Sequence, residues 1–181
     1  MMNRKTRVLA TTVAAIAMLG APAAAQGPTV EVLAEGLNIP RGLAVAADGS
    51  IYVVEAGTGG ERCMGEGEEQ VCMGPTGAIT RIADGSTSQI ATGLLSAGMG
   101  GGAEIVGASD VAVAADGTLY VTMNLGGDPA ERETFPPDAA AAGWLVKIGA
   151  DGTVEPFADV AAFEGANNPE PTMVDSNPYS V

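Results

Sequence analysis

The chain contains one pattern of apolar and small or polar positions twice. Apolar residues alternate with small ones, the chain turns at Asp-Gly, and the alternation resumes, in "GLAVAADGSIYV" (42–53) and again in "DVAVAADGTLYV" (110–121). Eight of the twelve positions are identical, and the one dissimilar exchange is Gly42 against Asp110. Asp-Gly between alternating runs indicates a hairpin, because glycine tolerates the positive φ of a tight turn. The pattern therefore predicts two copies of one β-hairpin.

A second hairpin follows each copy. "GAITRIADGSTSQIATGL" (77–94) matches "GWLVKIGADGTVEPFADV" (143–160), with one residue added before the Asp-Gly. The hairpins together predict two four-stranded units, 38–94 and 106–160. "TVEVLAEGL" (29–37) resembles the fourth strand of a unit and predicts a strand ahead of the first one. Four-stranded units in tandem, without helical periodicity, are typical of β-propeller blades; a β-sandwich of duplicated hairpins is the alternative.

The end of the chain resembles the start of the first unit. "NPYSV" (177–181) matches "NIPRGL" (38–43), which predicts a third unit that begins at about residue 172. Propellers need about four to eight blades to close. Over residues 26–181 we therefore expect an all-β propeller fragment, with about two four-stranded antiparallel blades, a preceding strand and the start of a third blade.

Residues 1–25 have the composition of a secretory signal peptide. A basic head is followed by an apolar run, Val8–Leu19, and by three alanines that predict cleavage between Ala25 and Gln26. The apolar run is shorter than the roughly 20 residues of a transmembrane helix. An uncleaved membrane anchor is the alternative. We expect an exported protein, periplasmic or extracellular, that is not inserted in a membrane after cleavage.

The charge and the cysteine content limit which partners the protein can bind and which compartment it occupies. The chain has 22 acidic and 8 basic residues, a net charge of −14, and such a surface repels nucleic acid phosphates. An apolar content of 46% indicates a globular chain rather than a disordered one. Cys63 and Cys72 flank a glycine-rich acidic segment, and export predicts that they form a disulfide. Two thiols without any histidine make a poor zinc site.

The predicted units have short connections on one face and long ones on the other. All four short turns contain Asp-Gly, whereas 58–76, 95–108, 126–142 and 161–176 are long. The glycine-rich stretch 98–107 is predicted to be a flexible link between blades. Long loops on a rigid scaffold often carry binding sites, so we interpret this face as one for a cation or cationic ligand, unless its acids only solvate the loops. The acids are Glu61, Glu66, Glu68, Glu69, Glu104, Asp128, Glu131, Glu133, Asp138, Glu164, Glu170 and Asp175.

Candidate chemistry is limited to a few polar residues. Without histidine, the chain cannot form a Ser-His-Asp triad or a histidine proton shuttle, and we identify no catalytic residue. Four polar residues near the loop-bearing ends of the inner strands are candidates for a channel-mouth binding site: Arg41, Glu55, Asp110 and Asn124. The carboxylate and amide oxygens of Glu55, Asp110 and Asn124 suit a hard cation such as Ca²⁺, and ordinary solvation is the alternative. Asp48 and Asp116 lack a second acid at calcium-loop spacing and are interpreted as turn residues.

Several segments together resemble one protein family. These are "NIPRGLAVAADGSIYVVEAGTGG", "GPTGAITRI", "DVAVAADGTLYVTMNLGGDPAER", "GWLVKIGADGTVEPFADVAAFEGANNPEP" and "VDSNPYSV". They resemble the ScyD/ScyE family, exported propeller-like proteins named after members encoded with the cyanobacterial pigment scytonemin. The likeness covers nearly all of residues 30–181, and the chain is also broadly similar to NHL-type propellers. The resemblance implies a longer chain with further blades and assigns no catalytic residues.

The function expected from the sequence is binding or scaffolding by an exported β-propeller. The ligand would face the long acidic loops, and the partner, a small molecule or a protein, is not identified by any motif. The alternative is a calcium-dependent lactonase or a strictosidine-synthase-like hydrolase, because such enzymes also use six-bladed propellers. That enzyme would have its site in the propeller channel.

Overall fold

The computed structural model describes residues 29–99, 102, 104–169 and 173–181. The predicted signal peptide and its cleavage site at Ala25 and Gln26 lie outside the described residues. The chain divides into two compact units, 1–31 and Val32–Val181. Thr29–Glu31, the described part of the first unit, has no regular secondary structure. Every strand and helix of the described residues belongs to the second unit.

The second unit is mostly β-structure. Its described residues form a nine-stranded antiparallel sheet in the order β1-β2-β4-β5-β6-β7-β8-β9, with β3 paired to β4. The sheet is open, and the predicted all-β class is confirmed. The strands are β1 (Pro40–Val45), β2 (Ile51–Glu55), β3 (Arg62–Met64), β4 (Val71–Ala83), β5 (Ser86–Met99), β6 (Glu104–Val113), β7 (Leu119–Met123), β8 (Trp144–Ile148) and β9 (Val154–Asp159).

The sequence repeat is also a repeat of strand register. β1 pairs with β2 in the register that β6 and β7 adopt 68 residues later. A register shift after Ile79 in the β4–β5 pair recurs after Leu145 in the β8–β9 pair. Register follows the alternation of buried and exposed side chains, so equal alternation produces equal pairing. The two four-stranded units are therefore β1, β2 and the adjoining halves of β4 and β5, and then the end of β6 with β7, β8 and β9.

The Asp-Gly turns form as predicted. The carboxylates of Asp48, Asp116 and Asp151 accept hydrogen bonds from the backbone N–H two residues later, at 2.9, 3.0 and 3.0 Å. These backbone donors are the main cause that lowers the pKa of each carboxyl below its ordinary value of 3.8. The remaining Asp-Gly turn, between β4 and β5, has positive φ at both Asp84 and Gly85, 51° and 71°, as a two-residue hairpin turn requires.

Three segments differ from the expectation. The strand predicted over 29–37 is absent, because a strand requires backbone hydrogen bonds to a neighbour and this segment pairs with none of the described strands. The predicted loops 58–76 and 95–108 contain strands, since β4 and β5 continue beyond the first unit and pair there with β3 and β6. Much of the glycine-rich stretch is therefore a ladder rather than a flexible link. A Cβ at Gly107 would lie 2.8 Å from the Ala56 carbonyl oxygen, so the glycine permits a close backbone approach.

A short α-helix was not predicted. Helix α1 (Val160–Asn167) follows β9, and the Asp159 carboxylate caps it by accepting the Ala162 N–H at 2.9 Å. An acid placed before such a run is a sequence signal for a helix N-terminus. The described residues also contain 3₁₀ helices at Gly67–Glu69, Pro129–Thr134 and Pro137–Ala139. No helix within the described part of the chain is long and apolar enough to cross a membrane.

The apolar core runs through both four-stranded units. Side chains from the inner and middle strands are fully buried and belong to one hydrophobic cluster, among them Val54, Ile79, Leu119, Met123 and Ile148. Burial of such side chains stabilises the fold by roughly 1.5–3 kcal/mol each. The repeats therefore form one packed structure from which the long connections extend.

Candidate functional site

The structure brings two of the four predicted site residues together. Arg41 and Asp110 line a cavity of about 400 Å³, with Pro40, Gly42, Ser109, Tyr179 and Ser180. These residues belong to β1, to β6 and to the C-terminal segment, which are the starts of the three sequence units. The beginnings of successive units thus lie side by side around one polar cavity.

Both charged side chains in this cavity also form hydrogen bonds with backbone atoms of neighbouring segments. The Arg41 guanidinium donates a hydrogen bond to the Ile105 carbonyl oxygen. Asp110 Oδ2 accepts the backbone N–H of Val181 at 3.2 Å. The two groups therefore tie β1 to β6 and β6 to the C-terminal segment, as well as facing the cavity.

A buried serine beside them was not singled out from the sequence. Ser109 Oγ lies 2.8 Å from Thr122 Oγ1 and 3.0 Å from the Tyr179 carbonyl oxygen. It therefore connects β6 to β7 and to the segment that starts the third unit. Nothing in the sequence distinguishes Ser109, because a serine beside an aspartate is an ordinary sequence pattern.

Glu55 lies in a different environment. It is buried, and its Oε2 accepts the Asn38 N–H at 2.7 Å. Its Oε1 accepts a hydrogen bond from the Thr80 hydroxyl and another from Gln89 Nε2 at 3.4 Å. A buried carboxylate needs such donors to offset its desolvation. Glu55 therefore holds the segment before β1 against β4 and β5, and it lines a polar cavity of about 240 Å³ there.

Asn124 is buried at the end of β7 and binds the C-terminal segment. Its Nδ2 donates to Asn177 Oδ1 at 2.6 Å, and its backbone N–H donates to the Gly107 carbonyl oxygen at 2.9 Å. Asn124 Oδ1 and the nearby Ser176 Oγ are buried without a hydrogen-bond partner among the described residues. Arg41 and Asp110 thus share one cavity, whereas Glu55 and Asn124 each belong to separate buried contacts.

A larger, apolar cavity lies among the long connections. It measures about 480 Å³, and residues of 58–76, 95–108 and 126–142 line it. Its floor is the sheet extension formed by β3, β4, β5 and β6. Met64 is paired with Val71 and Val71 with Met99, which places these three side chains in one row on one face. Met73 and Ala97, from a neighbouring pair, also line the cavity.

The opposite wall is the segment that follows β7. Leu125, Gly126, Gly127 and Phe135 line the cavity, together with part of the 3₁₀ helix Pro129–Thr134. Ser176 holds this wall, because its carbonyl oxygen accepts the Gly126 N–H at 3.0 Å and its N–H donates to the Gly127 carbonyl oxygen at 2.9 Å. Ser176, at the end of the fourth long connection, therefore stabilises this wall of the cavity.

An ion pair braces the same wall. The Arg132 guanidinium makes two hydrogen bonds to the Asp159 carboxylate, at 2.9 and 3.1 Å. It also donates to the backbone carbonyl oxygens of Pro129 and Ala142, both at 3.3 Å. This two-point contact joins the 3₁₀ helix to the end of β9, where Asp159 also caps α1.

The predicted disulfide is confirmed. Cys63 and Cys72 are joined at an S–S distance of 2.03 Å and lie directly opposite each other in the β3–β4 pair. Successive side chains of a strand point to opposite faces, so the bridge lies on the face opposite Met64 and Met73. It therefore clamps the hairpin that forms the floor without occupying the cavity.

Two carboxylates complete the cavity lining. Glu69 lies in the connection between β3 and β4, and Glu131 belongs to the opposite wall. A Cβ at Gly127 would lie 3.3 Å from Glu131 Oε2, so this carboxylate turns back over the cavity wall. Within the described residues, neither of these two carboxylates accepts a hydrogen bond or forms an ion pair. The described residues contain no cluster of three His, Cys, Asp or Glu that could hold a metal ion.

No protein-family model, curated protein or solved structure matches this chain.

Proposed function

We propose that the chain is part of an exported β-propeller of the ScyD/ScyE type that binds a ligand or partner through its long-loop face. The observation that carries the proposal is the apolar cavity of about 480 Å³. Insertions at equivalent positions of the two repeats, 58–76 and 126–142, both line it. Ligand cavities in proteins are typically of this size and largely apolar, with a few polar groups.

The propeller arrangement is supported by how the units begin. Gly42 of β1 lies against Ser109 and Asp110 of β6, and Val181 binds the Asp110 carboxylate. In a propeller the first strands of successive blades lie next to one another around the channel. The disulfide and the leader-like residues 1–25 support export, since disulfides persist in oxidising compartments.

The hydrogen bonds that the candidate polar groups make within the protein favour binding over catalysis. Both oxygens of Glu55 accept hydrogen bonds from the protein, and Asp110 holds the Val181 N–H. Arg41 likewise donates to backbone. Groups used in this way position strands, and none of them is paired as a nucleophile with its base.

The proposal is tested by a fragment screen with ligand-observed NMR on the full chain. We expect a subset of apolar fragments to bind and Thr134→Trp to abolish their binding, because Thr134 lines the cavity and indole would fill it. Thr153→Trp, in a tight turn, is the matched control. Fragments that bind equally well to both variants would place the ligand elsewhere.

The enzyme alternative requires an activity assay. Lactones and simple esters are incubated with the full chain, with and without added Ca²⁺. We expect no turnover above that of the buffer. Calcium-dependent hydrolysis that disappears in Asp110→Asn would replace binding with catalysis in the channel.

A further inference from the structure

The 480 Å³ cavity combines an adaptable apolar floor with unneutralised negative charge. Three methionines, Met64, Met73 and Met99, contribute to the floor. Methionine side chains are flexible and polarisable, so they adapt to apolar groups of different shape. A floor of this kind suits a hydrocarbon or aromatic body rather than a polar one.

The charge in the cavity is negative on two sides. Glu69 lies on the side of the floor hairpin and Glu131 on the opposite wall, and neither carboxylate is paired within the described part of the chain. A carboxylate beside apolar surface interacts with a charged ligand more strongly than one in bulk water does. A ligand placed between them would therefore gain most if it carried a positive charge.

Two basic residues lie near the cavity, and neither of them is part of its lining. Arg132, next to Glu131 in sequence, is held by the Asp159 carboxylate through two hydrogen bonds. Arg62 stands opposite Met73 at the start of β3, is engaged in an interaction of its own and is not part of the lining. The described residues that line the cavity include no lysine or arginine.

An aromatic ring lies on the same wall as Glu131. Phe135 is half-buried and lines the cavity at the end of the 3₁₀ helix. A cation over an aromatic face gains about 0.5–2 kcal/mol, depending on how far it is desolvated. Carboxylates with an aromatic face are a combination that favours protonated amines and quaternary ammonium groups.

We propose that this cavity binds a small amphipathic organic cation, with its apolar body on the methionine floor and its ammonium group between Glu69 and Glu131. The inference rests on the proposed binding function and names the ligand class for that site. The carboxylates would exclude anions of the same shape, because an anion would have to approach two unneutralised negative charges.

A matched series of ligands tests the charge preference directly. The probes are 3-phenylpropylammonium, 3-phenylpropanol and 3-phenylpropionate, which share one apolar body and differ in charge. Calorimetry on the full chain at neutral pH and low salt should give an affinity about tenfold higher for the ammonium than for the alcohol, and no binding of the carboxylate. Added salt should narrow the difference, because exposed charges are screened.

Variants at the two carboxylates connect that preference to the cavity. We expect Glu69→Gln and Glu131→Gln each to reduce it and the double variant to bind ammonium and alcohol equally. Glu133→Gln, which removes the same charge outside the lining, is the control and should keep the wild-type preference. Retained alcohol binding in the double variant shows that the fold and the cavity are intact.

The outcomes separate this inference from the binding function itself. Equal affinity of wild type for ammonium and alcohol would overturn the cation preference and leave the binding function standing. A preference that persists in the double variant would also overturn the inference, since residues other than Glu69 and Glu131 would then recognise the ammonium group. If none of the three probes binds, the ligand class is wrong, and the fragment screen with Thr134→Trp alone decides whether the cavity binds anything.

Discussion

The Asp110 side chain lies where a Cβ would be at Gly42, its equivalent in the preceding repeat. A Cβ at Gly42 would lie 2.7 Å from Asp110 Cα and 2.8 Å from the Ser109 carbonyl oxygen. The one dissimilar exchange between the two twelve-residue copies therefore occurs where the copies touch. One position must be glycine, because the equivalent residue of the next unit occupies the space of its side chain.

Gly42→Ala should destabilise the protein by about 1–3 kcal/mol, because the added methyl group would meet backbone atoms that cannot rotate away. Urea unfolding monitored by circular dichroism measures the change. Gly165→Ala in α1 is the control, since the nearest atoms to its Cβ position are at 3.6 Å and alanine favours a helix. Equal stability of wild type and Gly42→Ala would show that β1 and β6 are not packed as described.

Replacing both cysteines by serine should lower the free energy of unfolding by about 2–3 kcal/mol, the chain-entropy value for a loop of this length. The loss should be local, with faster amide hydrogen exchange in β3 and the first residues of β4. Mass spectrometry of unreduced peptides should find Cys63 linked to Cys72. Two free thiols in the native protein would contradict the structure.

Arg132→Lys should destabilise the cavity wall although it conserves the charge. Lysine cannot reproduce the two parallel hydrogen bonds to Asp159, which lie at 2.9 and 3.1 Å. Charge-assisted hydrogen bonds of this kind contribute about 1.5–3 kcal/mol. Thermal melting should show the loss, while Lys147→Ala, which breaks the exposed pair with Glu155, should leave the melting temperature nearly unchanged.

Acid should destabilise the protein partly through its turns. The backbone N–H groups lower the pKa of Asp48, Asp116 and Asp151, so the folded state holds their protons less tightly than the unfolded state does. This contribution is present above the ordinary pKa of 3.8 and is lost as the pH falls through the lowered values in the folded protein.

Melting temperatures across the acid range test this linkage. Changing the three turn aspartates to asparagine keeps an acceptor for each turn and removes the titration, so the decrease in melting temperature below pH 3.8 should be smaller than in wild type. Changing Glu66, Glu68 and Glu133 to glutamine makes the same change in charge and serves as the control. Identical acid profiles for the two triple variants would assign the effect to net charge instead.

Local features of the fold could be predicted because their causes lie within a few residues. The alternation around each Asp-Gly sets side chains on two faces and turns the chain within the same short segment. The disulfide could also be predicted from the sequence, since Cys63 and Cys72 flank one short loop. Glu55 and Asn124 are polar residues at strand ends, and their position in sequence does not distinguish a ligand-binding residue from a buried structural contact.

Other features of the molecule depend on contacts between residues that are distant in sequence, and no local pattern predicts them. The repeated hairpins, their Asp-Gly turns and the disulfide follow from local sequence patterns. The structure decided that β4 and β5 continue through segments expected to be loops, because β3 and β6 offer them backbone partners. It also decided that two insertions line one cavity with Glu69 and Glu131 in it. Neither insertion carries that information alone, since each supplies one wall and the packing of the two repeats brings the walls together.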